Sequence, residues 1–163
     1  MGILNVTPDS FSDGGEFLSA NDAFEKYKKL EKEGAAIVDV GGESTRPGSK
    51  TVPTKKELHR IMPVIDQIKS NSKNSLVSVD TRKSTVMKAV MKFNIDFIND
   101  VSGLRYDSKA ISFLNKSKIP FIIMHSISNP AKMQKSIKYK DVLLDVYDFL
   151  EKQIKKCKSK GIS

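Results

Sequence analysis

Ala36-Ile37-Val38-Asp39-Val40-Gly41-Gly42-Glu43-Ser44-Thr45-Arg46-Pro47-Gly48 is the stretch from which the fold is read. It opens as a short β-branched run, breaks at a glycine pair and runs on through hydroxyls and a guanidinium to a proline and a glycine. A strand this apolar has no wet face, which is how strands of a parallel sheet read when both of their faces are covered. The flanking segments, near Asn21 to Glu33 and Thr54 to Ser70, have helical patterns instead. Outward from there the alternation repeats, with strands expected at Ile3 to Val6, Leu76 to Asp80, Asp96 to Val101 and Pro120 to His125. Helices are expected at Ser84 to Phe93, Ser108 to Lys116 and Tyr139 to Lys158. Five β-then-α repeats with no low-complexity linker make this an α/β chain, read as a single domain over residues 1–163.

Details within the helices carry expectations of their own. Pro63 removes a backbone donor inside the second helix, so a kink or a restart is expected there. In the last helix Val142, Leu143, Val146, Phe149, Leu150 and Ile154 recur at spacings of three and four, one apolar stripe that should lie on the sheet. Gly161 reads as the C-cap of that helix, with Ile162 and Ser163 at the threshold of a sixth strand.

Composition narrows the classes. Of 163 residues, 39% are hydrophobic and 29% charged, enough to bury a core. No apolar run reaches the roughly eighteen residues of a membrane span, and Met1 leads straight into a strand, so no membrane partner is expected. The one cysteine, Cys157, sits in Lys155-Lys156-Cys157-Lys158 and reads as a solvated helix end in a reducing cytoplasm. The net charge of +9 attracts polyanions in general. Much of the excess falls between Lys132 and Lys160, however, on the polar side and C-terminal turns of one expected helix, so it reads as a solvated face and not as a nucleic-acid site.

Parallel strands with crossover helices build either an open doubly wound sheet or a closed eight-stranded barrel, and periodicity alone does not separate them. No G-x-G-x-x-G and no P-loop is present, which counts against the common nucleotide-binding open sheets. Polar residues gather instead at strand ends: Asn5, Gly41 to Arg46, Asp80, Asn99-Asp100 and His125. In a βα barrel these positions meet at one mouth.

The first loop, Asn5 to Gly15, is long enough to be a lid, and Asn5 at the strand tip could give its amide oxygen to a hard cation such as Mg²⁺. Asx-turns at Asn5 and Asp9 are the plainer alternative. The second loop offers backbone donors, two hydroxyls and Arg46, an anion clamp by chemistry, or a plain glycine-rich turn. Ser44 lacks the glycine spacing of a nucleophile elbow. Asp80 and Asn99 end apolar strands, where burial is costly without a partner. Together they could read the edge of an aminopyrimidinone ring; for Asp80 the alternative is a helix N-cap. Asp100 reads as a cap or loop anchor. Asp39 should point inward and be paired, by a structural hydrogen bond or by a ligand. His59 is expected on an exposed helix face, His125 lacks a catalytic partner, and Met124 reads as a packing residue near a ligand floor.

Met1 to Gly15 is similar to the first signature of the dihydropteroate synthases, and Asp39 to Gly48 to the second. Ser78-Val79-Asp80-Thr81, Ile98 to Gly103 and Met124-His125, followed by Asn129-Pro130 and Met133-Gln134, continue the resemblance over the whole chain. The resemblance implies a TIM (β/α)8 barrel of which about the first five βα units are present. It also implies attack of the p-aminobenzoate amine on the exocyclic methylene of 6-hydroxymethyl-7,8-dihydropterin diphosphate, giving 7,8-dihydropteroate and diphosphate. Carried over by position, Asn5 would be the Mg²⁺ ligand, and Asp80 and Asn99 the pterin contacts. Thr45 and Arg46 would bind substrate, and Phe11, Asp13 and Pro47 would enclose the aminobenzoate. Asp13 and Arg46 are the candidate catalytic residues.

Two departures stand out. Ser126 and Ser128 occupy places where the fifth-strand motif usually continues with methionine and glycine. The family's three further βα units are not in this sequence; they carry an acidic pterin ligand, a lysine over the ring and an arginine–histidine pair. A C-terminal half-barrel complement is therefore an expected partner, and full-length relatives are commonly homodimers. A pterin-binding half-barrel without catalysis is the alternative reading, and a pterin-dependent methyltransferase relative a more distant one, since those relatives lack a loop like Asn5 to Gly15.

Overall fold

The computed structural model describes residues 1–7, 20–44, 49–72, 74–126 and 139–162. Five strands, β1 (Gly2–Asn5), β2 (Ile37–Gly41), β3 (Leu76–Asp80), β4 (Phe97–Asp100) and β5 (Phe121–Ile123), form one sheet in the order β1-β2-β3-β4-β5. All four neighbouring pairs are parallel. Between and after them come α1 (Ala20–Lys32), α2 (Thr54–Asn71), α3 (Ser84–Val90), α4 (Ala110–Ser117) and α5 (Val142–Ser159). Each crossover moves one strand sideways, and with the right-handed connection parallel strands adopt, successive helices fall on the same face of the sheet.

That face holds the core. Leu4, Val38, Val40, Val77, Val79 and Ile98 are fully buried beneath Tyr27, Ile61, Ile65, Ile68 and Met87 of the helices. Each such aliphatic side chain contributes roughly 1.5 to 3 kcal/mol when removed from water. The register puts the alternate residues in two rows across the other face: Ile3, Asp39, Ser78 and Phe97, and above them Asn5, Gly41, Asp80, Asn99 and Ile122. Ile3 remains 62% exposed there.

Several local expectations are corrected. α2 is one continuous helix through Pro63, which removes the restart of the two alternatives expected there. The helix expected from Ser84 to Phe93 is α-helical only to Val90, then tightens into a 3-10 turn, Met91–Phe93, that ends at Asn94 with φ 51°. β5 stops at Ile123, two residues before His125. The stripe on α5 is only partly covered, with Val142, Leu143 and Ile154 exposed. Cys157 is buried, 5% exposed, among core residues, because the helix turns its Gln153–Cys157 edge inward and leaves the neighbouring lysines in solvent. Gly161 does close this helix. With φ 85°, its N–H donates to Lys158 O, and Ile162 N–H donates to Cys157 O, the paired bonds of a Schellman ending.

Candidate functional site

The carboxyl ends of β1 to β4 bring Asn5, Gly41, Asp80 and Asn99 into one row. The buried Leu4, Val38, Val40, Val77, Val79 and Ile98 face the helices, and Asn5, Asp39, Ser78, Asp80 and Asn99 alternate with them on the other face. Gly41 lets its neighbours close in: a Cβ placed on it would lie 3.3 Å from Asn5 Oδ1 and 3.4 Å from Asp80 Oδ2. Two oxygens from different strands therefore converge over the one position that has no side chain.

Asn99 is held from below. Its Nδ2 donates to Asp39 Oδ2 at 2.8 Å, crossing over β3 from β4 to β2. A carboxylate can only accept here, so the amide is fixed with Nδ2 toward Asp39 and Oδ1 turned away. Asp39 points inward and is paired, as the sequence suggests, through a structural bond. Its other oxygen, Oδ1, and the Ser78 hydroxyl oxygen are buried without a partner among the described residues.

Asp80 is not a helix cap. The first turn of α3 is served from elsewhere, Ser84 N–H donating to Asp107 Oδ2 at 2.8 Å. Burial lifts the Asp80 carboxyl well above its ordinary value, and the carboxylates of Asp39, Glu57, Asp100 and Glu43 push in the same direction. A half-buried acid that is costly to ionise favours a ligand that presents N–H donors to it. Asp100 is the loop anchor: its Oδ1 accepts from Ser102 N–H at 2.8 Å and from Ser102 Oγ at 2.6 Å. Burial raises its carboxyl too, against those two bonds.

Met124 lies just past β5, 38% exposed, its N–H donating to Asp100 O at 3.3 Å. His125 packs edge-on against Phe149 at 4.8 Å between ring centres. His59 is exposed on α2. Phe11, Asp13, Thr45, Arg46 and Pro47 lie outside the described residues.

Beside this row is a buried cluster that sequence reasoning did not single out. Glu43 receives Arg82 Nη2 at 3.0 Å, Arg82 Nε at 3.2 Å and Lys83 Nζ at 2.8 Å. Lys83 Nζ also donates to Glu57, whose other oxygen accepts from Thr81 Oγ1 at 2.6 Å. Burial would raise the Glu43 carboxyl, but the bonds from Arg82, Lys83 and Val52 N–H hold it below its ordinary value. One signal in the sequence could have revealed the cluster. Arg82-Lys83 stands directly before a helix N-terminus, where cations oppose the dipole unless anions face them.

Among the described residues no group of three histidine, cysteine, aspartate or glutamate side chains could hold a metal ion. Asn5 Oδ1 is an oxygen donor of the kind that hard cations take. Among the same residues no helix is long and apolar enough to cross a membrane.

Comparison with known proteins identifies the family of the fold. The family model described as pterin binding enzyme matches residues 1–163. The dihydropteroate synthase of Haemophilus influenzae is 42% identical over 162 residues, covering 99% of this chain and 58% of that protein. The crystal structure of the Yersinia pestis dihydropteroate synthase with a sulfonamide drug complex superposes with a TM-score of 0.91 at 36% identity, over 99% of this chain and 58% of that one. The Xanthomonas albilineans dihydropteroate synthase with 4-aminobenzoic acid gives 0.87 at 38%, over 99% and 56%. The chain thus spans just over half the length of the relatives it matches, and its five parallel strands correspond to the N-terminal part of their barrel.

Proposed function

Because the chain belongs to the pterin-binding enzyme family, as a homologue of the N-terminal portion of dihydropteroate synthases, we propose that it supplies the pterin-binding side of that enzyme. The reaction joins 6-hydroxymethyl-7,8-dihydropterin diphosphate to p-aminobenzoate. The observation that carries this reading is the row of Asn5, Gly41, Asp80 and Asn99, with Asn99 oriented by Asp39.

In this reading Asp80 accepts the 2-amino and ring N–H donors of the pterin, a pairing that relieves its burial. Asn99, its Oδ1 turned away from Asp39, reads the neighbouring polar atoms of the same edge. Met124 lies against the ring face. Thr45 and Arg46 bind the substrate through the second loop, and Phe11, Asp13 and Pro47 enclose the aminobenzoate. The amine nitrogen forms a bond to the exocyclic methylene carbon while the carbon–oxygen bond to the diphosphate breaks, and the amine then gives up a proton. No covalent enzyme intermediate is required. Asn5 would hold Mg²⁺, which when bound supplies charge to the departing diphosphate oxygens. Arg46 adds a permanent positive charge for the same oxygens.

The remaining polar contacts of such a site are expected from a C-terminal complement, so the test uses two samples. Dihydropteroate formation is measured with this chain alone and with the chain mixed with the C-terminal half of a relative, Mg²⁺ present in both. Turnover in the mixture that Asp80→Asn abolishes supports the proposal. Tight dihydropterin diphosphate binding without turnover, given association of the halves, supports the half-barrel binder instead. No binding in either sample refutes both.

A further inference from the structure

The cluster of Glu43, Glu57, Arg82 and Lys83 lies beside the row described above, its carboxylates acting on Asp80 through space, and it holds together the stem of the second loop. Both ends of the segment between Ser44 and Ser49 are tied. Ser49 Oγ donates to Ser44 O at 2.6 Å, Val52 N–H donates to Glu43 Oε1 at 2.9 Å, and Arg82 Nη2 donates to Thr51 Oγ1 at 3.3 Å. On the entering side, Arg60 Nη1 donates to Gly42 O at 2.8 Å. Arg82 and Lys83 meet Glu43 with side chains no more than 10% exposed. The Arg82 guanidinium also lies 4.0 Å from the centre of the Tyr106 ring. One guanidinium thus joins the loops that follow β2, β3 and β4.

Two carboxylates and two cations at these distances form a neutral buried unit, and a fork of N–H donors on one carboxylate fixes direction as well as distance. Loop ends that are fastened in advance have less conformational freedom to lose when a ligand binds between them. We propose that Arg82 and Lys83, acting through Glu43, are positioning residues that preset the stem of the second loop for an anionic ligand. They do so without touching it. The proposal rests on the functional reading above only for the identity of that ligand, a diphosphate ester.

The test uses the full chain as wild type, Glu43→Gln and Arg82→Lys, each shown to be folded by circular dichroism at the assay temperature. Amide exchange is followed at Val52, and at Val79 and Ile98 as core references; affinity is measured for inorganic diphosphate and for dihydropterin diphosphate. The expected result is exchange at Val52 faster by about tenfold with the references unchanged. Affinity for both ligands should fall by about tenfold, because one buried charge-assisted contact is lost. Unchanged exchange at Val52, or a rise shared equally by Val79 and Ile98, would overturn the stem clamp. Faster exchange at Val52 with undiminished affinity would overturn the positioning role. A wild-type chain that binds inorganic diphosphate but not dihydropterin diphosphate would sink the functional reading and leave the clamp standing. Binding of neither by wild type would overturn the positioning role together with that reading, and the exchange data would still decide what holds the stem.

Discussion

Replacing Gly42 by alanine should loosen the whole domain, whereas the same change at Gly41 should spare it and damage only the site. A Cβ at position 42 would sit 2.7 Å from Ile61 Cγ2 and 3.1 Å from the backbone oxygen of Glu57. Ile61 is fully buried and the Glu57 carbonyl belongs to α2, so neither can step aside alone. Overpacking of this kind costs about 1 to 3 kcal/mol, against a gain of about 0.4 to 1 kcal/mol from removing glycine from the unfolded chain. The net loss is on the order of 1 to 2 kcal/mol, which lowers the melting temperature of a chain of this size by roughly 2 to 8 °C. At position 41 the new methyl meets the Asn5 and Asp80 side chains at 3.3 to 3.4 Å, contacts that side-chain rotation can relieve. Gly41→Ala should therefore melt within about 2 °C of wild type, while its dihydropterin affinity falls at least about tenfold, because the methyl fills the gap between two ligand oxygens. Thermal melts followed by circular dichroism, with calorimetric binding of the dihydropterin, read both quantities. Equal melting temperatures for the two variants, or a Gly42→Ala chain as stable as wild type, would refute the packing argument.

Asp80→Asn should stabilise the free chain at neutral pH by on the order of 1 kcal/mol, as relief of a strained functional group commonly does, while weakening pterin binding. The sign follows from its raised folded-state value: the stability tied to Asp80 is complete below the unfolded carboxyl value and declines as pH rises through the folded one. A wild-type stability curve over pH in which Asp80→Asn removes no such decline would count against it. Asn99→Leu leaves the buried Asp39 carboxylate without its donor and should cost about 1 to 3 kcal/mol in urea unfolding; a neutral result would show that the bond does not hold in solution. Tyr27→Phe removes the hydroxyl that lies 2.8 Å from Glu31 Oε1 and 3.1 Å from Ser72 Oγ. It should cost about 1 kcal/mol by the same assay, and no change would mean that water replaces the hydroxyl.

The strands were legible because their signal is local. Leu76 to Asp80 is bounded by polar residues on both sides and is found with those limits, and Asn5, Asp80 and Asn99 could be placed at one mouth from strand-end position alone. What involves two distant segments was not legible. Nothing in the run Lys155-Lys156-Cys157-Lys158 says which face of α5 turns inward, so Cys157 reads as solvated although it is buried. Likewise the apolar stripe on α5 records which residues share a face, not how much of that face α5 covers, and Leu143 stands 76% exposed. The Glu43, Glu57, Arg82 and Lys83 cluster joins side chains up to 40 positions apart, a pairing that no periodicity encodes. The expectation of a cation at Asn5 leans on resemblance, since a lone amide at a strand tip does not distinguish a ligand from a turn.

The strand order carries a consequence for how the chain acquires its shape during synthesis. Every strand lies beside the one made just before it, so each βα unit can dock as it leaves the ribosome without waiting for a distant partner. Assembly by accretion from the amino terminus is open to such a topology. Asn5 and Gly41 are then side by side early, Asp80 joins with the third strand, and Asn99 can reach Asp39 only when the fourth is laid down. A nascent chain stalled before that point would carry Asn5, Gly41 and Asp80 without the bond that orients Asn99, so the proposed recognition of a pterin should appear only once the fourth strand is made.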